Sequence, residues 1–193
     1  YSGVSEEFNP MRKSNANYAK LNFPYILYLW TLEPRKNIGA IIRAFNILKT
    51  DSNFGDLKLV LAGRPGWLYE DVLKEVQKSS FAKDIVFWGK VRAEDRALLY
   101  NLAKVFVYPS FFEGFGFPPL EAQACGCPVI VANRTSLPEV VGDSAILTDP
   151  WRIGSMADAI KSVLLDNTLR DKLVKAGLEN CKKFNWQNCK IFH

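Results

Sequence analysis

Within residues 109–121, PSFFEGFGFPPLE, two carboxylates, Glu113 and Glu121, bracket a stretch that carries two glycines and two prolines. Gly114 and Gly116 lack a Cβ, so a ligand can approach their backbone closely. Pro118 and Pro119 suit the first positions of a helix, where a missing N–H costs little. The remaining free N–H groups of such a helix start point into the loop and make a site for an anion or a hydroxyl. Glu121 is expected in the first turn of that helix, where the dipole favours a carboxylate. Seven residues and the loop separate the two acids, so they do not share a helix face and instead bracket one extended ligand. Taken alone, a Gly-x-Gly is more often a plain turn, with Glu113 solvated and Glu121 an ordinary helix-start acid.

The elements that must position this run alternate along the chain. Residues 25–31 (YILYLWT), 57–62, 85–88, 105–108, 128–132 and 145–148 are apolar β-type runs, several of them stopped by Gly or Pro. Between them, residues 37–50, 69–79, 94–103 and 118–125 place apolar side chains at helical spacing, and residues 155–165 and 169–184 add two final helices. Strands alternating with helices imply a parallel sheet covered on both faces, an α/β doubly wound, Rossmann-like fold. In such folds the ligand sits outside the carboxyl ends of the strands. That rule points to residues 30–36, 63–67, 89–92, 109–117 and 133–137, and so to Arg35, Lys36, Arg64 and Lys90 as cations on the ligand side.

Composition bounds the alternatives. The 193 residues, 48% of them apolar, suffice for one full core. Residues 1–20 are polar and irregular and are expected to form a linker or strap, leaving residues 21–193 as the domain. The net charge of +5 fits ordinary surface lysines as well as a polyanionic partner. The basic residues are scattered, with no run of five or more, which argues against a nucleic-acid arm. Four cysteines (Cys125, Cys127, Cys181 and Cys189) form no C-x-x-C pair, and the one histidine, His193, is the last residue. No metal site is expected from such a set, and reduced cysteines fit the cytosol. No apolar run reaches about 18 residues, so no membrane span is expected. No signal peptide is expected, and a chain that opens on Tyr1 is expected to be a piece of a larger protein.

Glu113-Gly-Phe-Gly-Phe-Pro-Pro-Leu-Glu121 resembles the paired-glutamate signature of family 4 of the retaining glycosyltransferases. Residues 122–149, 31–37 (TLEPRKN), 62–70 (AGRPGWLYE), 184–186 and 2–10 are also similar to that family, in the same order. The resemblance implies the C-terminal half of a GT-B architecture, with the acceptor half upstream. It implies that Glu113 contacts hydroxyls of the donor sugar and that Glu121 binds the nucleotide's ribose. Backbone amides of Gly114, Phe115, Gly116, Phe117 and Leu120 would hold the sugar and diphosphate. Lys36 would neutralise the leaving diphosphate, stabilising charge where it builds up, with Arg35 or Arg64 assisting. Lys90 and Val91 sit where the family packs the base. Trp30 and Thr31 depart from the family, which usually has Gly at the first position and often Arg at the second.

The resulting expectation is retaining transfer of a sugar from a GDP-mannose-like or UDP-sugar donor to a glycan or lipid-linked acceptor. The nucleotide-sugar is a substrate, and no cofactor or metal is expected. The full-length enzyme is expected in the cytoplasm, with peripheral contact at the inner face of the membrane, and without a nucleic-acid partner. Two other readings are a non-catalytic nucleotide-binding module and a retaining glycoside hydrolase. The hydrolase would need Glu113 and Glu121 about 5 Å apart as acid and nucleophile; the glycine loop and the basic pair favour a phosphate-bearing ligand instead.

Overall fold

The computed structural model describes residues 4–10 and 21–184. Six strands form one sheet: β1 (Tyr25–Leu29), β2 (Lys58–Ala62), β3 (Ile85–Gly89), β4 (Val105–Tyr108), β5 (Val129–Ala132) and β6 (Ile146–Thr148). Their order is β3-β2-β1-β4-β5-β6, and every pairing is parallel. β1, β4 and β5 are buried along their whole length, as their unbroken apolar runs require of strands covered on both faces. Each buried Leu, Ile or Val there stabilises the fold by about 1.5–3 kcal/mol relative to exposure.

Helices α1 (Ile38–Lys49), α2 (Tyr69–Gln77) and α6 (Ile153–Leu165) pack together on one face. On the other, α4 (Phe117–Ala124) packs between α3 (Ala93–Leu102) and α5 (Leu137–Val141), with α7 (Asn167–Cys181) laid against it. Chain progression reverses between β1 and β4, so the loops after these two strands diverge and leave a crevice at the carboxyl edge.

The strand expected over residues 25–31 ends at Leu29, and a 3-10 turn, Pro34–Lys36, follows. The last expected helix is divided: α7 starts at the Asp166 cap, whose side chain accepts from Leu169 N at 2.9 Å, and ends before a 3-10 turn at Lys182–Phe184. Helix α5 was not expected. Five residues with a proline near their start give no helical period to read. Of the expected linker, residues 4–10 lie against the domain. Val4 N donates to Phe184 O at 2.9 Å, and Phe8 is buried. The rest of that stretch, and Asn185, Trp186, Cys189 and His193, lie outside the described residues.

Candidate functional site

At the switch point Lys36 ends the 3-10 turn after β1 with 1% of its surface exposed. Its Nζ donates to Glu113 Oε1 at 2.5 Å and to Tyr108 Oη at 3.0 Å. The ammonium also stands 5.3 Å from the centroid of the Tyr108 ring. That ring closes β4 and stacks on Tyr28 of β1, centroids 6.1 Å apart. Burial pushes the Lys36 pKa down, and the bond to Glu113 opposes that shift. Burial and the nearby Glu113 push the Tyr108 phenol up, so it stays neutral. An ammonium has three donors, and two are committed to these partners.

The loop bearing Glu113 is fixed from both sides. Phe111 N and Ser110 Oγ donate to Arg35 O at 2.9 and 3.2 Å. Asn37, in the left-handed region at φ 56°, donates from Nδ2 to Pro109 O and Pro150 O at 3.3 and 3.0 Å. From the loop after β5, Thr135 Oγ1 accepts from Glu113 N at 3.2 Å, and Ser136 Oγ donates to Glu113 O and Phe115 O at 3.2 and 2.9 Å. Gly116 has φ +105°, and a Cβ there would meet Leu137 Cδ2 at 2.8 Å. At Gly114 an added Cβ meets nothing within 4 Å. Gly116 is thus demanded by the fold, whereas Gly114 leaves open space beside the Glu113 backbone.

Glu121 is the fifth residue of α4, which begins at Phe117, so it does not lie in the first turn as expected. The helix dipole therefore gives its carboxylate no first-turn stabilisation. Other groups hold it: Arg96 Nη1 donates to Oε1 at 2.9 Å, and Tyr100 Oη to Oε2 at 3.0 Å. Burial raises its pKa, against the opposing pull of Arg96 and Tyr100. The structure therefore places Glu113 and Glu121 in separate networks, which disfavours a paired acid and nucleophile.

Arg64, Lys90 and Val91 come together. With Leu29, Trp30, Thr31 and Arg96 they line a groove of about 340 Å³ beyond the ends of β1, β2 and β3. Trp30 is half-buried, packs against the core and forms part of the lining. Arg35 links its own turn to the loop bearing Glu113: Nε pairs with Glu33 at 2.6 Å and Nη1 donates to Phe112 O at 3.2 Å. Phe115 and Phe117 pack against each other at 4.9 Å, and Leu120 is buried in the core, leaving backbone groups as the only polar contribution of these residues. Trp67 is 75% exposed, which rules out a core role. Cys125 and Cys127 are buried free thiols and Cys181 is a partly buried one. Among the described residues no group of three or more His, Cys, Asp or Glu is arranged to hold a metal ion. Another cavity, about 290 Å³, lies at the opposite edge of the sheet by Pro24, Leu57 and Lys104. Cavity size does not single out the site; the converging strand ends do.

Sequence reasoning missed Arg96, Tyr100 and Tyr108. The i, i+4 spacing of Arg96 and Tyr100 puts them on one helix face, a signal available in the sequence. Tyr108 reads there only as a core aromatic.

Residues 11–180 match the family described as "Glycosyl transferases group 1". The chain belongs to that family. It is 41% identical over 165 residues to "O-antigen chain mannosyltransferase B" of Escherichia coli, covering 86% of this chain and 43% of that protein. It is 34% identical over 195 residues to "Serotype-specific mannosyltransferase WbdA" of Escherichia coli, covering 97% of this chain and 24% of that one. The chain thus spans less than half the length of these relatives. Among solved structures, sucrose-phosphate synthase from Thermosynechococcus elongatus superposes with a TM-score of 0.82 at 26% identity, over 96% of this chain and 48% of that one. The C-terminal domain of a group 1 family protein, LpcC, from Francisella tularensis gives 0.82 at 23% identity, over 96% of this chain and all of that one. The Rossmann-like fold expected from the strand and helix pattern is the fold of this GT-B group.

Proposed function

We propose that the chain is the donor-binding half of a retaining glycosyltransferase that uses a nucleoside-diphosphate sugar without a metal ion. The observation that carries this reading is the buried Lys36 ammonium. It is pinned between Tyr108 and Glu113 beneath the glycine loop, at the point where the sheet changes direction. Its third donor is suited to a phosphate oxygen. The first N–H groups of α4 add partial positive charge from the loop side. As the bond between sugar and diphosphate breaks, charge gathers on the leaving phosphate. A preorganised ammonium in a water-poor pocket stabilises that charge more than water would.

In this reading Glu113 accepts from a sugar hydroxyl beside Gly114. Glu121 accepts from the ribose, and the base lies in the groove by Lys90 and Val91, with Arg64 at its rim. The donor's own phosphate receives the acceptor's proton on the face the leaving group vacates, so configuration is retained. The mannosyltransferase relatives favour a GDP-mannose-like donor. A UDP-sugar is the alternative donor. The acceptor, a glycan or a lipid-linked one, belongs to an upstream half joined through the stretch around residues 1–20. The whole enzyme would work in the cytoplasm, at the inner face of the membrane. Among the described residues no helix is long and apolar enough to cross one.

The test is transfer itself. The chain with an upstream acceptor half restored, given GDP-mannose or a UDP-sugar, is expected to form a product whose anomeric configuration matches the donor's, with chelator present. The chain alone is expected to form none, because orientation of the acceptor supplies much of the rate. Product of inverted configuration, or comparable acceptor-dependent product from the chain alone, overturns the reading.

A further inference from the structure

Arg96 stands between two carboxylates from distant parts of the chain. Its Nη1 donates to Glu121 at 2.9 Å, and its Nη2 lies 3.8 Å from Glu7 Oε1. The guanidinium carbon sits 5.1 Å from the centroid of the Phe8 ring. Phe8 in turn meets the edge of Tyr100 at 6.1 Å, and Tyr100 is the second donor to Glu121. Arg96 also lines the groove with Lys90 and Val91. Glu7 and Phe8 precede the sheet, in the stretch that leads into the domain, so Arg96 touches the entry segment, the buried acid and the groove together.

We propose that Arg96 is a positioning residue of the donor site, which holds the Glu121 carboxylate toward the ribose and makes that hold depend on the seating of Glu7 and Phe8. The inference rests on the nucleotide reading above. A carboxylate this deeply buried stays charged only with partners that repay its lost hydration. The titratable and charged groups around it are Arg96 and Tyr100 of α3, Glu7 of the entry segment, Cys125 one turn on, and Cys181 beside Cys125. Of these, Arg96 and Tyr100 favour the ionised form, whereas Glu7 opposes it. Glu7 and Glu121 share one guanidinium. When Glu7 sits close, part of the arginine's charge is spent on it. Loss of the Glu7 charge gives Glu121 a fuller share.

An ionised acceptor binds a ribose hydroxyl more strongly than a protonated one. Loss of Arg96 therefore raises the pH needed for ribose recognition, and loss of the Glu7 charge lowers it. Both effects fall on the ribose hydroxyls and not on the diphosphate. This separates positioning from a general role in packing.

The experiment measures calorimetric affinities of GDP and UDP, and of their dideoxyribose counterparts. It uses the 193-residue chain, Arg96→Met, Arg96→Lys and Glu7→Gln, from about pH 5 to about pH 8. The unmutated chain is expected to prefer the ribose form by roughly tenfold or more. Arg96→Met is expected to lose that preference while holding the dideoxy form within about twofold of the unmutated affinity. Arg96→Lys restores part of the preference, and Glu7→Gln carries it to lower pH. Thermal unfolding checks each variant. Should Arg96→Met not fold, Arg96→Lys must still weaken the preference and Glu7→Gln must still move its pH dependence. Retention of full preference in Arg96→Met, equal weakening of both sugar forms, or an unmoved profile in Glu7→Gln overturns the proposal alone. An unmutated chain that binds neither GDP nor UDP overturns the nucleotide reading and this proposal with it.

Discussion

Lys36 and Glu113 are 77 residues apart in sequence and 2.5 Å apart in space. A buried ammonium held below its ordinary pKa loses its proton more readily in the folded chain than in the unfolded one. Folded stability consequently rises with pH across the interval between the lowered value and the unfolded one, while affinity for a phosphate falls across the same interval. Pyrophosphate titrated against the chain at increasing pH is expected to lose affinity before the pH reaches the ordinary lysine range. Affinity that is flat up to that range contradicts the placement of phosphate on Lys36. The two acids are expected to fail differently. Glu121→Ala removes a charged hydrogen bond to ribose and weakens a nucleoside diphosphate by about 1.5–3 kcal/mol. Glu113→Ala keeps the ribose contact but removes a partner of Lys36, so it weakens diphosphate binding less than Glu121→Ala does and lowers turnover in the restored two-half enzyme. A larger loss of diphosphate binding in Glu113→Ala than in Glu121→Ala reverses the two roles.

Elements decide which of these residues can meet. The loop after β4 reaches Lys36 because Asn37 ties it at Pro109 and because Thr135 and Ser136, just before α5, grip Glu113 and Phe115. Two glycines of this loop offer a clean comparison. Gly116→Ala forces a side chain into the left-handed region and against Leu137, so it is expected to destabilise the fold by about 1–3 kcal/mol. Gly114→Ala meets open space and is expected to melt like the unmutated chain while weakening the sugar-bearing donor more than the bare diphosphate. Paired melting curves and titrations check both, and a Gly114→Ala chain that melts as early as Gly116→Ala removes the distinction. The strands were readable because buried parallel strands are continuous apolar runs bounded by Gly or Pro, as at Val105–Tyr108. The grip on the loop was not, since Thr135 and Ser136 sit in a stretch too short and too proline-marked to show a helical period. Arg96 carries no mark in the sequence beyond its i, i+4 spacing with Tyr100, and only the fold brings Glu121 and Glu7 to it.

At the scale of the molecule, one sheet brings the carboxyl ends of β1, β2, β3, β4 and β5 to a single edge, and the candidate site residues lie on the loops and helices beyond that edge. Placement at this edge was legible in the sequence, since Lys36, Arg64, Lys90 and Glu113 each follow a run that reads as a strand, whereas their order along the edge comes from the fold. The split of the site was not, because burial of Glu121 against α3 depends on how α3 and α4 pack. The chain covers 43% of the length of its mannosyltransferase relative, and under the proposed function the acceptor side of the cleft belongs to the rest of a longer protein. On that proposal, the task of this chain is to hold the donor by its diphosphate. The direct measurement is calorimetry of the chain with GDP, UDP and ADP and with the corresponding nucleosides, each with and without chelator. The account predicts that at least one diphosphate binds, that its nucleoside binds far more weakly, and that chelator changes neither. Equal affinity for nucleoside and diphosphate, or binding abolished by chelator, contradicts it.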